Sequence, residues 1–403
     1  MKYLVLKRRP ADDGNEFLEM AGAGATRGGE FELPFEAETA DISEGEADGL
    51  RQDPGIADVI ASMPFTLVEP VATDGPADGA VWGLDAVGAT ASPFTGAGVT
   101  VAVIDTGIDR AHAAFAGIAF GPENLCDFTA SEEGVPGDAP DVHGHGTHVA
   151  GTIFGRAVDG ERIGVAPGVT RVLIGKVLGP GGKGSTAAIY NAIQWALARR
   201  ADVISMSLGM DFPGQVQRLV DSGLPPDIAA SRALEAYRSN VRLFDRVAES
   251  VRAAAARGRG ALLVAASGNE SRRHIDPRFT VAVAPPAAAD GFVSVGAVGR
   301  TGNAVAPFSV ARFSNTGCLL SAPGVGIRSA ALGGGLTGMD GTSMATPHVA
   351  GVIALWTQKL FPGGQRGLGW AGDVQRSLEN SAIPPPGLAR ADVGLGVVRA
   401  PAA

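Results

Sequence analysis

The sequence predicts an α/β protein, a mostly parallel sheet covered by helices on both faces, preceded by a small α+β unit. Three observations carry this. Short β-branched apolar runs alternate with helical patterns along most of the chain. The strand candidates are apolar throughout rather than alternating, as strands buried on both faces are. And 403 residues, 45% of them hydrophobic and 19% charged, are enough for a large core and for more than one unit.

In chain order, residues 2–8 read as a strand. Residues 10–48 are rich in Gly, Ala and acids and show little periodicity. Residues 45–63 read as a short helix and Phe65 to Val71 as a second strand. Turn-forming residues from Ala72 to Gly79 then read as a linker, which divides an N-terminal unit (1–75) from a main domain (76–403). In the main domain, strands are expected at Val99–Ile104, Val172–Val177, Val203–Ser207, Ala261–Ala266 and Phe292–Val298. Helices are expected at His145–Phe154, Ser185–Arg199 and Ser343–Leu360. Between Asp227 and Arg257, apolar residues recur in steps of three or four, at Leu234, Tyr237, Val241, Phe244, Val247, Val251 and Ala254. That spacing predicts one long amphipathic helix, opened by Pro225-Pro226 and closed by Gly258.

Charge is unevenly placed. Residues 1–70 carry 15 acids and 6 bases, a net of −9, and residues 71–403 carry 27 of each. The acidity belongs to the N-terminal unit, and the chain has no basic footprint for nucleic acid. Cys126 and Cys318, far apart in sequence, could form one disulfide, but two buried free thiols are the expected state. No apolar run reaches the roughly 18 residues of a membrane span. Met1–Leu6, followed by Lys7-Arg8-Arg9, is too short for a signal-peptide core. The expected location is therefore cytoplasmic or reached by non-classical export.

Three local patterns carry chemistry. Asp105 ends the apolar run Val101–Ile104, at the carboxyl edge of a parallel sheet, where it can hold an imidazole in one tautomer. In His143-Gly-His145-Gly-Thr-His148, the glycines allow a sharp entry into a helix whose first turn carries His145 as a base. In Gly341-Thr-Ser343-Met-Ala-Thr-Pro347, Ser343 opens a helix whose N–H groups can receive an oxyanion. Taken singly, the Asp could cap a turn and the Ser could cap a helix. The three histidines could also be read as zinc ligands, but His-Glu-x-x-His is absent and Thr147 stands where an acid would be wanted.

Together, in the order Asp, His, Ser, these patterns resemble the subtilisin-like serine peptidases. The resemblance runs from about Trp82 to Trp356, with the longest matches at His145–Gly151 and Gly341–Gly351. An α/β-hydrolase would need Gly-x-Ser-x-Gly, and Ala345 breaks that pattern. The resemblance implies a subtilisin-like three-layer fold and a serine endopeptidase acting through an acyl-enzyme on Ser343, with no catalytic cofactor. In Ala265-Ala-Ser-Gly-Asn269 it assigns Asn269 as the side-chain oxyanion donor. It implies that Ser207-Leu208-Gly209 pairs with the substrate backbone, that Gly182-Lys183-Gly184 lines the opposite side, and that an extended peptide adds between them. Glu270 is expected at the rim of the first specificity pocket, favouring basic or polar residues, or else as a solvated acid after a turn. A non-catalytic scaffold on the same fold would have lost a triad or oxyanion residue, and all are present.

The chain also departs from the family pattern. Ala114 stands where the family's strong calcium site takes an acid, and Val158 where it often takes Asn, so that site is expected to be lost. Asp159 and Glu161 offer structural calcium other ligands. Between Gly209 and Ala261 the chain is longer than compact family members, through an expected loop at Met210–Pro226 and the long helix. This insert adjoins the substrate segment, where it narrows specificity, docks a partner or merely elaborates the surface. The N-terminal unit resembles the family's pro-segment, most clearly over Asp53–Pro70. It is thus expected to act as a folding chaperone and inhibitor of its own chain, with Val71–Ala80 as the expected cut.

Overall fold

The computed structural model describes residues 2–8, 33–67, 81–302 and 307–403. The N-terminal unit is a three-stranded antiparallel sheet in the order β2 (Phe35–Asp41), β1 (Lys2–Arg8), β3 (Ile56–Ala61). Its helix, Glu44–Leu50, starts at a capping box in which Ser43 and Glu46 each satisfy the other's backbone N–H. The sheet is buried on both faces. Tyr3, Val5 and Val59 pack on the helix through Ala47, while Leu4, Leu6 and Ile60 turn into the core of the main domain.

The main domain is built on a nine-stranded sheet. Its centre is parallel, with Thr100–Asp105 between Val203–Met206 and Arg171–Lys176, and Leu262–Ala266 and Phe292–Arg300 beyond Val203–Met206. Short antiparallel strands, Phe308–Val310 and Val135–Pro136, close the two edges. Along Thr100–Asp105, Val101 and Val103 enter the core beneath the His145 and Ser343 helices. Ala102 and Ile104 enter the opposite core, beneath helices Thr186–Ala198 and Pro226–Ala256. Both faces are dry, which is why these strands read as continuous apolar runs.

The predicted strands and helices of the main domain form with boundaries shifted by one or two residues, and the long helix runs unbroken over Pro226–Ala256. Three expectations were wrong. Phe35–Asp41 is a strand inside a stretch read as featureless. The helix expected over 45–63 stops at Leu50, because Asp53-Pro54-Gly55 forms a turn and Ile56–Ala61 continues as a strand. The expected loop 210–226 contains a helix, Phe212–Asp221, with Asp211 accepting from the Gly214 N–H and Pro213 in the first turn. The strand expected at Phe65–Val71 is β4, Pro64–Leu67. Residues 68–71 and the linker 72–79 lie outside the described residues.

Cys126 and Cys318 are free and buried, and burial pushes each thiol up to about 11. No described helix is long and apolar enough to cross a membrane.

Candidate active site

The sheet joins Asp105 to His145, and the His145 helix packs against the helix that carries Ser343. Asp105 ends its strand, and its Oδ1 lies 2.7 Å from His145 Nδ1, with neither side chain exposed. The same oxygen accepts the Thr106 N–H at 2.7 Å. His145 is the first residue of its helix, entered through Gly144 at φ +96°, a conformation that favours glycine. Gly146 is needed for a different reason, because a Cβ there would come within 2.2 Å of the Gly107 carbonyl oxygen. The helix start therefore presses directly on the strand end that carries Asp105.

A buried acid overlooked in the sequence holds this junction. Asp141, only 7% exposed, accepts hydrogen bonds from the N–H groups of His143, Gly144 and Thr147 and from the hydroxyls of Thr106 and Thr147. Burial alone would raise its carboxyl, but the bonds from Thr147, Gly144 and His143 outweigh burial and hold it below the usual carboxylate range. The signal was available, since an acid a few residues before a helix start is a capping candidate. His148, by contrast, points away from the site and contacts the Ile327 carbonyl. Burial pushes it down to about 3, so it is a neutral core residue. Among the described residues no cluster of three His, Cys, Asp or Glu is placed to hold a metal ion.

Ser343 sits in the first turn of helix Thr342–Leu360 and has no exposure. It is tied to Ser207 in both directions. Ser343 Oγ donates to the Ser207 carbonyl at 3.3 Å, and Ser207 Oγ donates to the Ser343 carbonyl at 3.0 Å. His145 Nε2 and Asp105 Oδ2 make no hydrogen bond to any described residue. Catalytic contacts are often long in the resting state and tighten when substrate is bound. Asn269 Oδ1 accepts from both the N–H and the hydroxyl of Thr342, each at 2.9 Å, so the amide is clamped against the residue preceding Ser343. The remote Asn315, which binds Glu270 and Ser271, has no local signature in the sequence.

β4 lies between the two segments expected to receive a peptide. Leu67 and Thr66 pair antiparallel with Leu208 and Gly209 on one side. Thr66, Phe65 and Pro64 pair with Lys183, Gly184 and Ser185 on the other, and the Leu67 N–H donates to the Gly182 carbonyl at 2.7 Å. Phe65 is fully buried, edge-on to Phe244 of the long helix with centroids 5.8 Å apart. Leu208, Gly209, Gly182 and Gly184 thus flank one strand, and Ser207 precedes Leu208 in the chain. Glu270 is partly buried. It accepts from Asn315 Nδ2 at 2.6 Å, and burial pushes its carboxyl up.

At the position of the strong calcium site, Ala114 offers no side-chain oxygen, and Glu161 pairs with Arg328 at 3.3 Å.

The fold is an α/β protein with a mostly parallel sheet, which carries a hydrogen-bonded Asp–His pair at a strand end and a serine in the first turn of a neighbouring helix. The profile of the subtilase family matches residues 96–397. The M-protease of Shouchella clausii is 32% identical over 389 residues, covering 93% of this chain and 82% of that protein. The alkaline serine exoprotease A of Vibrio alginolyticus is 32% identical over 341 residues, 82% of this chain but 53% of that protein. Subtilisin E of Bacillus subtilis is 34% identical over 271 residues, 66% of this chain and 57% of that protein. The chain thus spans between about half and four fifths of these relatives. It belongs to the subtilase family of serine endopeptidases.

Proposed function

We propose that Asp105, His145 and Ser343 are the catalytic triad, that Asn269 and the Ser343 N–H bind the oxyanion, and that the chain is made as an inhibited precursor. Ser343 Oγ attacks the scissile carbonyl as His145 Nε2 takes its proton. Asp105, through Nδ1, holds the imidazole in the tautomer that leaves Nε2 free to accept. His145 then protonates the leaving amine, and water hydrolyses the acyl-enzyme. No cofactor enters these steps.

The observation that carries the precursor reading is β4 itself. A substrate strand is expected between segments 182–184 and 207–209, and a strand of the chain's own N-terminal unit occupies that place. The absence of exposure at His145 and Ser343 fits a closed cleft. The M-protease alignment supports a shared N-terminal unit. It covers 93% of 403 residues, about 375, so at most about 28 residues lie outside it and it enters the segment before residue 81. The unit is held by side chains of the main domain. Arg246 pairs with Asp58 at 2.9 Å, Asn240 Nδ2 donates to the Ala61 carbonyl at 3.1 Å, and Tyr190 OH donates to the Phe35 carbonyl at 2.8 Å.

The expected cut at Val71–Ala80 lies outside the described residues. The register of β4 favours an earlier bond. Counting along the sequence from the last described pair, Leu67–Leu208, we propose a cut at Val68–Glu69. Intact mass of the full chain before and after incubation tests the precursor reading. A stable mass in a chain that cleaves added peptides would leave the N-terminal unit a permanent domain.

A further inference from the structure

Resting on the triad reading, we infer that Asp109 and His112 are positioning residues: they latch the tip of the hairpin that leads into Ser343 onto the loop that follows Asp105, and so hold the nucleophile within reach of His145. His145 Nε2 makes no hydrogen bond to a described residue. The place of Ser343 relative to the imidazole is therefore set by the backbone that carries it. That backbone is a two-stranded hairpin, Ile327–Ala330 paired antiparallel with Leu336–Met339, which runs on through Asp340, Gly341 and Thr342 into Ser343. Its base is closed just before the serine. Asp340 Oδ1 accepts the Gly326 N–H at 2.6 Å, and the Gly341 N–H donates to the Gly324 carbonyl at 2.7 Å. Its flank rests on the His145 helix, with Ser329 Oγ donating to the His148 carbonyl at 2.8 Å.

The tip has no packing of its own. Gly333, Gly334 and Gly335 take φ +83°, +121° and +70°, and a Cβ added at any of them would meet nothing within 4 Å. A run of glycine in this region has wide backbone freedom, so contacts from outside must locate it. Two hydrogen bonds from the loop after Asp105 do so. Asp109 Oδ2 accepts the Gly333 N–H at 3.0 Å, and His112 Nε2 donates to the Gly335 carbonyl at 2.8 Å. Anchored in this way, the tip holds Leu332 over the entry to the His145 helix, its Cβ 3.3 Å from where a Cβ on Gly144 would stand. Asp109 is also tied to that helix directly, its N–H donating to Thr147 Oγ1 at 2.9 Å. The loop after Asp105, the His145 helix and the approach to Ser343 thus meet at one latch.

His112 is buried, and its second nitrogen has a different task. Nδ1 accepts the Ala114 N–H at 3.0 Å and caps the short turn Ala113–Phe115. The two contacts fix the tautomer with its hydrogen on Nε2. They also make the latch separable from the cap, because a glutamine amide reaches about where Nε2 stands and an asparagine amide about where Nδ1 stands.

The test uses the full chain, incubated until turnover is constant, and steady-state kinetics on one fluorogenic peptide. His112→Ala loses both contacts. His112→Gln returns a donor for the Gly335 carbonyl, and His112→Asn returns only an acceptor for the Ala114 N–H. The inference expects the Ala and Asn variants to lower kcat roughly 10- to 100-fold, the cost of a misplacement of about 1 Å, with KM within about twofold. The Gln variant should restore kcat to within about threefold of wild type. An unchanged kcat in His112→Ala overturns the inference, and so does a loss confined to KM. An Asn variant as active as the Gln variant, or a Gln variant no better than Ala, overturns it too, since the cap alone would then account for the residue. Asp109→Ala removes the other tip bond and leaves His112 in place. It should lower kcat by a similar factor, and an unchanged kcat there overturns the inference even where the His112 variants do not fold. Fluorophosphonate labelling of the wild type separates the two levels. Normal labelling with the wrong order of variants removes only the latch, whereas no labelling removes the serine-peptidase site and the latch with it.

Discussion

Thr342 fixes Asn269. The backbone N–H and the hydroxyl of Thr342 both donate to Asn269 Oδ1 at 2.9 Å, one residue before Ser343. These two bonds fix the oxygen end of the amide, and so the orientation of the whole group. The position of the proposed oxyanion donor is thus set from the same helix turn that carries the proposed nucleophile. Asn269→Ala should lower kcat about 10²- to 10³-fold with little change in KM, the loss found for the corresponding donor in subtilisin. Thr342→Val keeps the backbone bond and removes the hydroxyl bond. It should cost roughly 3- to 10-fold in kcat, as expected for about 1 kcal/mol of hydrogen bonding. Steady-state kinetics on one peptide checks both, and a larger loss in Thr342→Val than in Asn269→Ala would break the argument.

Asp105→Asn leaves an amide where His145 Nδ1 needs an acceptor, so the imidazole adopts the wrong tautomer. A loss of about 10⁴-fold in kcat at neutral pH is expected, as for the same replacement in the chymotrypsin-type triad. Retention of more than a tenth of wild-type activity would exclude Asp105 from the triad.

Asp141 makes a pH-dependent contribution to stability. Its folded-state carboxyl is held below the ordinary value. The stabilisation is therefore complete above the unfolded value, about 3.9, and is lost as pH falls through the folded one. Asp141→Asn should be less stable than wild type by about 1–3 kcal/mol at pH 6, because donors buried around the carboxylate lose their acceptor. The gap should narrow from about pH 4 downward. Denaturant unfolding of both proteins at pH 6, 4 and 3 tests this, and a gap independent of pH would contradict it.

The contacts holding the N-terminal unit should differ sharply in weight. Arg246–Asp58 is partly exposed, with Arg246 38% accessible, so it contributes about 0.2–1 kcal/mol. Phe65 is fully buried, and removing such a ring costs about 3–5 kcal/mol. In the full chain, Asp58→Ala should speed fluorophosphonate labelling of Ser343 no more than about fivefold, and Phe65→Ala at least a hundredfold. Equal effects would mean that β4 is not what closes the cleft.

The proposed maturation cut, counted along the sequence from the Leu67–Leu208 pair, is Val68–Glu69. N-terminal sequencing of the processed chain should begin at Glu69. A start between residues 72 and 81 would restore the linker as the cut and show that the pairing does not guide self-processing.

Much of this was legible in the sequence because burial on both faces leaves a simple trace. Val101–Ile104 is apolar at every position and ends in one acid, which marks a central strand and the edge where a site forms. The long helix announced itself because its apolar residues follow a single period over 31 residues. The errors arose where two physical rules competed. Ile56–Ala61 is too short for periodicity to separate strand from helix, and the Pro54-Gly55 turn before it was the better guide. Phe35–Asp41 alternates apolar with acidic residues, but the run of acids hid the alternation. Pro213 and Gly214 read as loop, although proline suits the first turn of a helix. Asn315 supports the segment after Asn269 from 45 residues away, a pairing that only the folded chain reveals.

The central claim is that Ser343 is the nucleophile of a cleft closed by the chain's own strand. Fluorophosphonate labelling of the full chain, followed over time in wild type and Ser343→Ala alongside intact mass, tests it most directly. The account predicts slow labelling at first, rising as the mass falls by the first 68 residues, and none in Ser343→Ala. Labelling that persists in Ser343→Ala, or none in wild type after the N-terminal unit has been removed, would contradict it.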